Sequence, residues 1–200
     1  MKLITNEDNM ELMSRYEDNY FDLAIVDPPF GIGNFVQTNN RGSEVKWNDN
    51  IPSKTYFNEL KRVSKNRIIF GANYYNCFEE NGGAIVWVKN QPMPNFSKCV
   101  IASCSFHKKI EMYNQTWTNF VAKDRTGIHP CEMPVSLYEW LLMNYAKEGD
   151  KILDTHLGSG SIAIACHNLG YNLTACELDK EYYDAAIKRI EEHKLQLRIL

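Results

Sequence analysis

An aspartate, two prolines and an aromatic residue end one of the most apolar segments of the chain. The segment is FDLAIVD (residues 21–27), and Pro28, Pro29 and Phe30 follow it. Such an apolar run predicts a buried strand, and open α/β sheets bind ligands at the carboxyl ends of their strands. Because each proline disfavours the helical region for the residue before it, Asp27 and Pro28 are both held extended. The DPPF segment (residues 27–30) is therefore stiff, and it displays a carboxylate, a carbonyl group and an aromatic ring.

The DPPF segment suits a planar group that carries an –NH2. The Asp27 carboxylate and the Pro28 carbonyl can each accept one N–H, while Phe30 stacks on the ring. Accepting both hydrogens draws the nitrogen lone pair out of conjugation and towards an electrophile, so that positioning and electrostatics carry the reaction. The alternative is a turn that ends the strand, with Asp27 as a cap and Phe30 in the core.

A glycine loop late in the chain is the second candidate site. KILD (151–154) runs into THLGSGS and then into a helix-like stretch of small apolar residues. Gly158 and Gly160 allow a tight turn and the close approach of backbone to a ligand. The next strand ends in Glu177, 23 residues beyond Asp154. A carboxylate there can accept hydrogen bonds from both hydroxyls of a ribose.

Two cofactors compete for this loop. GSGSIA satisfies the GxGxxA dinucleotide pattern, which is a weak signal alone, and would suit NAD in an oxidoreductase. A pyrophosphate, however, favours bare amides without a negative side chain, and Asp154 ends the strand. Its carboxylate suits a cationic amino group, which S-adenosylmethionine has. A strand–helix turn that binds nothing is the third possibility.

The chemistry requires a scaffold that brings the two sites together, and the chain alternates short β-like runs with helical stretches. The predicted strands are 2–5, 21–27, 67–72, 84–89, 100–106, 151–154 and 172–178. The predicted helices are 8–17, 54–65, 73–80, 133–147, 160–169 and 179–197. This order predicts an α/β fold with a doubly wound, mostly parallel sheet. Residues 1–200, with 44% hydrophobic content, are expected to form a single domain.

Charge and cysteine content restrict the partners and the compartment. The net charge is −3, but residues 41–125 carry 13 basic and 7 acidic side chains. This basic middle could face a polyanion, or it could be ordinary solvated surface. The six cysteines form no CxxC pair, the histidines have no zinc-like spacing, and we expect no metal site. With neither a signal peptide nor a membrane-length apolar run, the sequence predicts a reduced, cytoplasmic protein without membrane association.

Several segments, in this order, resemble those of prokaryotic and phage DNA amino-methyltransferases of the permuted β group. The resemblance runs from about Leu3 to Ile190. It implies a Rossmann-like S-adenosylmethionine-dependent methyltransferase fold with circularly permuted motif order, in which the catalytic half precedes the cofactor half. The segments are EDNMELM, FDLAIVDPPF, RIIFGANYY, GGAIVWVKN, HPCEMP, DTHLGSGSIAIAC and CELDKEYYDAAIKRI.

The resemblance also implies a role for individual residues. The catalytic residues would be Asp27, Pro28, Pro29 and Phe30. In the family the aspartate matching Asp8 meets the adenine of the cofactor, and Leu178 would lie against the same ring. The residues expected around S-adenosylmethionine are Asp8, His129, Asp154, Thr155, Leu157, Gly158, Ser159, Gly160, Glu177 and Leu178.

In the family a DPP[YF] segment goes mostly with adenine N6 and an SPP[YF] segment mostly with cytosine N4. The expected activity is therefore methyl transfer to adenine N6 in DNA, on a base flipped out of the helix, as in restriction-modification systems. Cytosine N4, RNA or protein as methyl acceptor, and a catalytically silent nucleic-acid-binding homologue are the alternatives.

The sequence departs from the family in two places. Met133 stands where the family usually has lysine, which puts one contact of the cofactor or nucleic-acid region in doubt. Only about 15 residues, Asn114 to Gly127, occupy the usual position of a target-recognition domain, so no such domain is expected.

Base-edge reading would then come from loops 33–50 and 114–128, from a partner subunit, or hardly at all, and a homodimer is possible. We expect residues 33–50 to form a mobile lid and the recognition sequence to be short or degenerate. The basic residues available for phosphate contacts are Arg41, Lys46, Lys108, Lys109, Lys123 and Arg125.

Overall fold

The chain folds into one eight-stranded sheet with helices on both faces. A computed structural model describes residues 2–31, 50–90, 97–115, 126–129 and 131–196. The strands are β1 (Lys2–Asn6), β2 (Phe21–Val26), β3 (Ser64–Phe70), β4 (Gly83–Val88), β5 (Cys99–Cys104), β6 (Ile110–Asn114), β7 (Lys151–Asp154) and β8 (Asn172–Glu177). The helices are α1 (Asn9–Ser14), α2 (Lys54–Val63), α3 (Ala72–Tyr75), α4 (Val135–Tyr145), α5 (Ser161–Leu169) and α6 (Lys180–Leu195).

The sheet is mostly parallel, as the sequence predicts. Its strand order is β1-β8-β7-β2-β3-β5-β4-β6. The first five of these strands run parallel to one another, β5 runs antiparallel to both of its neighbours, and β6 is parallel to β4. The prediction of a Rossmann-like, doubly wound α/β fold is confirmed.

Strand β2 shows why helices cover both faces of the sheet. Successive side chains of a strand point to opposite faces. Leu23 and Ile25 belong to the core on the side of α4 and α5, whereas Ala24 and Val26 pack on the side of α1 and α2. A continuous apolar run is what a strand buried on both faces requires.

The strand order reverses between β7 and β2. From β7 the chain continues through β8 on one side, and from β2 it continues to β3 on the other. A crevice opens at such a switch point, outside the carboxyl ends of the two strands. Asp154 ends β7 and Asp27 follows β2, so the fold places both predicted sites at one crevice.

Most bounds shift by one to three residues, and three further differences change an element itself or its neighbour. Strand β6 is absent from the predicted set. Helix α3 ends at Tyr75 rather than residue 80, because Asn76 adopts a left-handed conformation with φ of 51°. Strand β3 begins at Ser64, directly after α2, and so includes the last two residues of the predicted helix 54–65.

The proposed lid (33–50) falls almost wholly on residues 32–49, which lie outside the described residues, as do residues 116–125 of the second proposed loop. Within the described part of the chain, no helix combines the length and apolar character needed to cross a bilayer.

Candidate active site

Two aspartates lie at the switch point of the sheet: Asp154 is buried, and Asp27 is half-buried with its Oδ1 fully buried. Asp154 is 1% exposed at the end of β7, and its Oδ1 accepts a hydrogen bond from the backbone amide of His156 at 3.0 Å. Burial raises the pKa of Asp154 to about 8, with the charges of Asp27 and Glu177 adding to the effect and the His156 amide opposing it. A cationic group brought to this carboxyl would restore its charged form.

The surroundings of the Asp27 carboxyl group disfavour its charged form. Its Oδ1 is buried and has no hydrogen-bond partner among the described residues. Burial raises the pKa of Asp27 to about 7, although the positive charge of Lys89 acts in the opposite direction. A buried acceptor without a donor is destabilising, so this position favours a ligand that brings an N–H.

The glycine loop approaches neighbouring backbone and side chains closely. Gly158 and Gly160 have φ angles of 54° and 79°, in the left-handed region that glycine adopts without strain. A Cβ on Gly160 would lie 3.1 Å from Ile190 Cδ1 and 3.3 Å from Ala186 Cβ of α6. The second glycine therefore lets α5 begin directly against α6.

Glu177 faces this loop from the end of β8. One carboxylate oxygen accepts the Gly158 amide at 2.9 Å, and the other accepts the Asp179 amide at 3.0 Å. Burial raises the pKa of Glu177, while these two amides lower it. Each oxygen keeps a second lone pair, so the carboxylate can still accept both hydroxyls of a ribose.

Three more residues predicted to contact the cofactor lie around the same region, namely Asp8, Leu178 and His129. Asp8 caps α1 by accepting the Met10 amide at 2.7 Å, and the Glu7 amide bonds the Glu177 carbonyl at 3.2 Å. Leu178 is 70% exposed just beyond β8. The His129 ring lies beside the glycine loop, 3.7–3.8 Å from where a Cβ on Gly158 would be.

A chain of polar side chains runs behind the glycine loop. Thr155 is buried, and its hydroxyl contacts Tyr56 Oη at 2.7 Å and His156 Nδ1 at 2.9 Å. The other ring nitrogen of His156 contacts the Asn9 amide at 3.2 Å. Because Asn9 donates there, His156 carries its hydrogen on Nδ1, and burial lowers its pKa to about 4. The imidazole is therefore a neutral structural group at physiological pH.

The DPPF segment itself is supported by α3, which the sequence analysis does not assign to the site. The Tyr75 hydroxyl donates to the carbonyls of Pro28 and Pro29. The Tyr74 ring stacks on Phe30 with centroids 4.9 Å apart and an angle of 14°. Two adjacent tyrosines at an apolar strand end, as in FGANYY, are the only sequence signal for this support.

Comparisons with known proteins find sequences that are similar over most of the chain. A family model described as DNA methylase matches residues 105–188, which include His129 and the glycine loop. The type II methyltransferase M2.DpnII of Streptococcus pneumoniae is 25% identical, over 94% of this chain and 89% of its own. M2.MboI of Moraxella bovis is 26% identical, over 92% and 85% of the two chains.

Solved structures of two DNA methyltransferases have a fold similar to that of this chain. The M1.HpyAVI–SAM complex aligns with a TM-score of 0.65 and 22% identity, covering 95% of this chain and 99% of that one. The cytosine-N4-specific PvuII DNA methyltransferase aligns with a TM-score of 0.66 and 11% identity, over 100% and 88%. This chain has the fold of the DNA methyltransferases.

Within this methyltransferase fold, a buried ion pair joins the HPCEMP segment to the glycine loop. The Glu132 side chain is fully buried and lies 3.1 Å from Arg189 of α6. Arg189 also donates to the Ser159 carbonyl at 3.0 Å and contacts the Ser161 hydroxyl at 2.9 Å. The Glu132 carboxylate in turn accepts the amides of Thr126 and Gly127. The sequence gives no signal for this pair, because its members are 57 positions apart.

Three further residues that the sequence singles out are buried, and they contribute packing or hydrogen bonds within the fold. Leu157 is buried and its amide bonds the Cys176 carbonyl at 3.0 Å. Ser159 is buried, with its hydroxyl 3.1 Å from that of Ser161. Met133 belongs to the core at 6% exposure, so the position where the sequence departs from the methyltransferases it resembles contributes packing here.

Proposed function

We propose that this protein transfers a methyl group from S-adenosylmethionine to the exocyclic amino group of a base in DNA, with adenine N6 as the target. The carboxyl group of Asp27 carries the proposal. Its buried Oδ1 lacks a donor among the described residues, and it lies at the crevice that the glycine loop also borders. An amino group of a base supplies the missing donor.

The residues near the loop fit this cofactor better than a dinucleotide. The buried carboxyl group of Asp154 is affected electrostatically by two half-buried ones, those of Asp27 and Glu177. Such a site repels a pyrophosphate and favours the ammonium and sulfonium groups of S-adenosylmethionine. The cofactor supplies a methyl group on a sulfonium, which is a strong electrophile.

The side chains of the chain then have separate tasks. Asp27 and the Pro28 carbonyl accept the two N–H groups and orient the nitrogen lone pair towards the methyl carbon. As the N–C bond forms and the C–S bond breaks, positive charge develops on the nitrogen, and the Asp27 carboxylate stabilises it. The nitrogen regains neutrality by releasing one proton, which passes to solvent. Since N6 is paired inside the duplex, the base must leave the helix first.

Adenine is proposed over cytosine because the segment reads DPPF, a form that resembles the adenine-specific pattern. Cytosine N4 is the second candidate, and the observation that favours it is the alignment with the cytosine-N4-specific PvuII enzyme. RNA and protein acceptors are weaker candidates because the relatives reported above are DNA or type II methyltransferases.

Specificity is proposed to be low. The segment between β6 and HPCEMP is too short for a separate domain, so the chain acts as one catalytic domain of the permuted type. Lys108 and Lys109 are exposed beside β6 and can contact phosphates, which gives affinity without base reading. A homodimer would extend the footprint on DNA.

Expression in a methylation-free host tests the proposal directly. Native DNA is sequenced with modified-base detection after expression of the wild type or of Asp27→Asn, which preserves size and removes the charge. We expect N6-methyladenine at a short or degenerate sequence with the wild type and none with the variant. N4-methylcytosine would instead identify the second candidate, and unmodified DNA from both strains would refute the proposal.

A further inference from the structure

Helix α3 contacts two chemically different parts of the DPPF segment through adjacent residues. Tyr75 reaches the backbone carbonyls of Pro28 and Pro29, and Tyr74 reaches the ring of Phe30. Under the proposed function, one of these carbonyls accepts the target amine and the ring stacks on the target base. The helix therefore supports both groups that are meant to hold the substrate.

The Tyr75 hydroxyl has one hydrogen and two acceptors within reach. Its oxygen lies 2.5 Å from the Pro28 carbonyl and 3.1 Å from the Pro29 carbonyl. Burial raises the pKa of Tyr75, as does the nearby charge of Asp27, so the hydroxyl remains protonated and donates. When an amine arrives at the Pro28 carbonyl, the hydroxyl can turn to Pro29 without losing its hydrogen bond.

The Tyr74 ring extends the aromatic surface that Phe30 begins. Phe30 lies close against Gly71, where an added Cβ would be 2.4 Å from the Phe30 ring. Tyr74, which is 38% exposed, stacks nearly parallel on the same ring. The glycine and the tyrosine together fix the plane of Phe30, and the exposed part of Tyr74 enlarges the surface available to a base.

We propose that Tyr75 is a positioning residue for the Pro28 carbonyl and that Tyr74 is a second member of the aromatic surface that receives the flipped base. The inference rests on the proposed function and goes beyond it by dividing the support of the substrate between two neighbouring side chains. Tyr75 acts on the amine through a hydroxyl, whereas Tyr74 acts on the base through its ring.

The matched substitutions Tyr75→Phe and Tyr20→Phe test the Tyr75 hydroxyl, since each removes one hydroxyl and keeps the ring. Tyr20 directly precedes β2, at the end of the strand opposite the crevice, and is 38% exposed. The readout is methyl transfer from labelled S-adenosylmethionine to genomic DNA from a methylation-free host. For Tyr75→Phe we expect kcat to fall roughly three- to tenfold, the effect of one hydrogen bond, with KM for the cofactor within about twofold. For Tyr20→Phe both constants should stay within about twofold of wild type.

The ring of Tyr74 is tested by Tyr74→Ala. We expect KM for DNA to rise roughly three- to tenfold, the range of an aromatic contact, while kcat at saturating DNA changes little. A duplex with 2-aminopurine at the target position reports flipping by its fluorescence, and the variant should show a smaller increase than Tyr74→Phe. Loss of general packing alone would not divide the two constants in this way.

Each outcome decides the inference separately from the proposed function. If the wild type methylates DNA and Tyr75→Phe matches it in kcat, the positioning role is wrong. Equal KM for DNA in Tyr74→Ala and wild type would likewise exclude the aromatic role. If the wild type transfers no methyl group to DNA although it binds S-adenosylmethionine in calorimetry, the proposed function itself has failed.

Discussion

The glycine loop and the DPPF segment border one crevice, but their polar groups are satisfied to different degrees. In the loop, the Gly158 amide bonds Glu177, the Ser159 carbonyl accepts from Arg189, and the Asp154 carboxyl accepts an amide. In the DPPF segment, the buried Oδ1 of Asp27 has no partner among the described residues. Among the described residues, the three loop groups named here already have partners, whereas the buried Oδ1 of Asp27 has none.

This difference fits a division of labour between holding a cofactor and activating a substrate. Preformed hydrogen bonds lower the ordering cost of binding, which suits the loop. An unsatisfied buried carboxyl stores unfavourable desolvation that an incoming donor relieves. The following substitutions test whether the two sides are as separate as their hydrogen bonding indicates.

The largest effect is expected on the preformed side, from Glu132→Gln. The change leaves the Arg189 guanidinium without its countercharge beside the glycine loop. Breaking a buried pair in this way typically costs about 3–5 kcal/mol of unfolding free energy. Urea denaturation measures it, with Asp184→Asn as the control, because the Lys180–Asp184 pair is exposed and should contribute little. An equal effect of both substitutions would mean that the buried pair does not stabilise the loop.

On the unsatisfied side, Asp27→Ala should abolish methyl transfer while S-adenosylmethionine still binds. In the proposed mechanism the carboxylate acts on the substrate amine and its developing charge, and losing one such contact costs on the order of 10²–10³ in rate. Single-turnover transfer and calorimetry measure the two quantities. Near-normal transfer would refute the mechanism, and loss of cofactor binding would show that the two sides are not separate.

The same carboxyl should lower the stability of the free protein as the pH rises. Its pKa is raised from 3.8 to about 7, so the folded state binds more protons than the unfolded state between these values. The unfolding free energy therefore falls across this interval and is lowest above it. Asp27→Asn should remove that decline. Between pH 4 and pH 8 the wild type should lose about 2–4 kcal/mol of unfolding free energy that the variant does not lose.

Asp22→Asn provides a control of opposite sign. Burial raises the pKa of Asp22, but the Lys151 amide and the Lys65 side chain outweigh it, so that the net pKa is lowered. The wild-type contribution of Asp22 is then present at neutral pH and lost as the pH falls through the lowered pKa. Thermal melting at several pH values should show the two variants diverging; parallel melting curves would contradict the assignment.

The smallest of these effects is expected from Glu177→Ala. If Glu177 accepts the ribose hydroxyls as proposed, its removal should weaken S-adenosylmethionine binding by about 1.5–3 kcal/mol, the scale of hydrogen bonds to a charged group. Calorimetry measures it, and Glu181→Ala on the exposed first turn of α6 is the control. Unchanged affinity would remove Glu177 from the site.

The features that the sequence predicts well are those determined by residues that are close together in the chain. The strands β2, β7 and β8 are short apolar runs, and each ends at a predicted functional acid or directly before one. Their grouping at one crevice follows from the parallel order of an α/β sheet. The glycine loop is equally local, since tight turns need glycine at fixed positions.

The features that escaped prediction depend on contacts between distant segments. Strand β6 exposes Ile110 and Met112 while Glu111 and Tyr113 are half-buried, which reverses the usual pattern of an edge strand. From the sequence alone, Glu132 would be expected at the surface, because its ion-pair partner Arg189 lies in a distant segment. The support of the DPPF segment by Tyr74 and Tyr75 likewise requires knowing that α3 lies next to β2.

The pairing of β1 with β8 has a consequence for how the protein is made. Lys2 is paired with Leu173, and among the described strands β8 is the only neighbour of β1. At translation rates of about 5–20 residues per second, β1 waits roughly 10–30 s after its own synthesis before its partner exists. Glu7 follows β1 directly, and its amide bond to the Glu177 carbonyl cannot form earlier. The side of the crevice that Glu177 borders is thus assembled only after β8 has been made, when the central strands have already been available to pair.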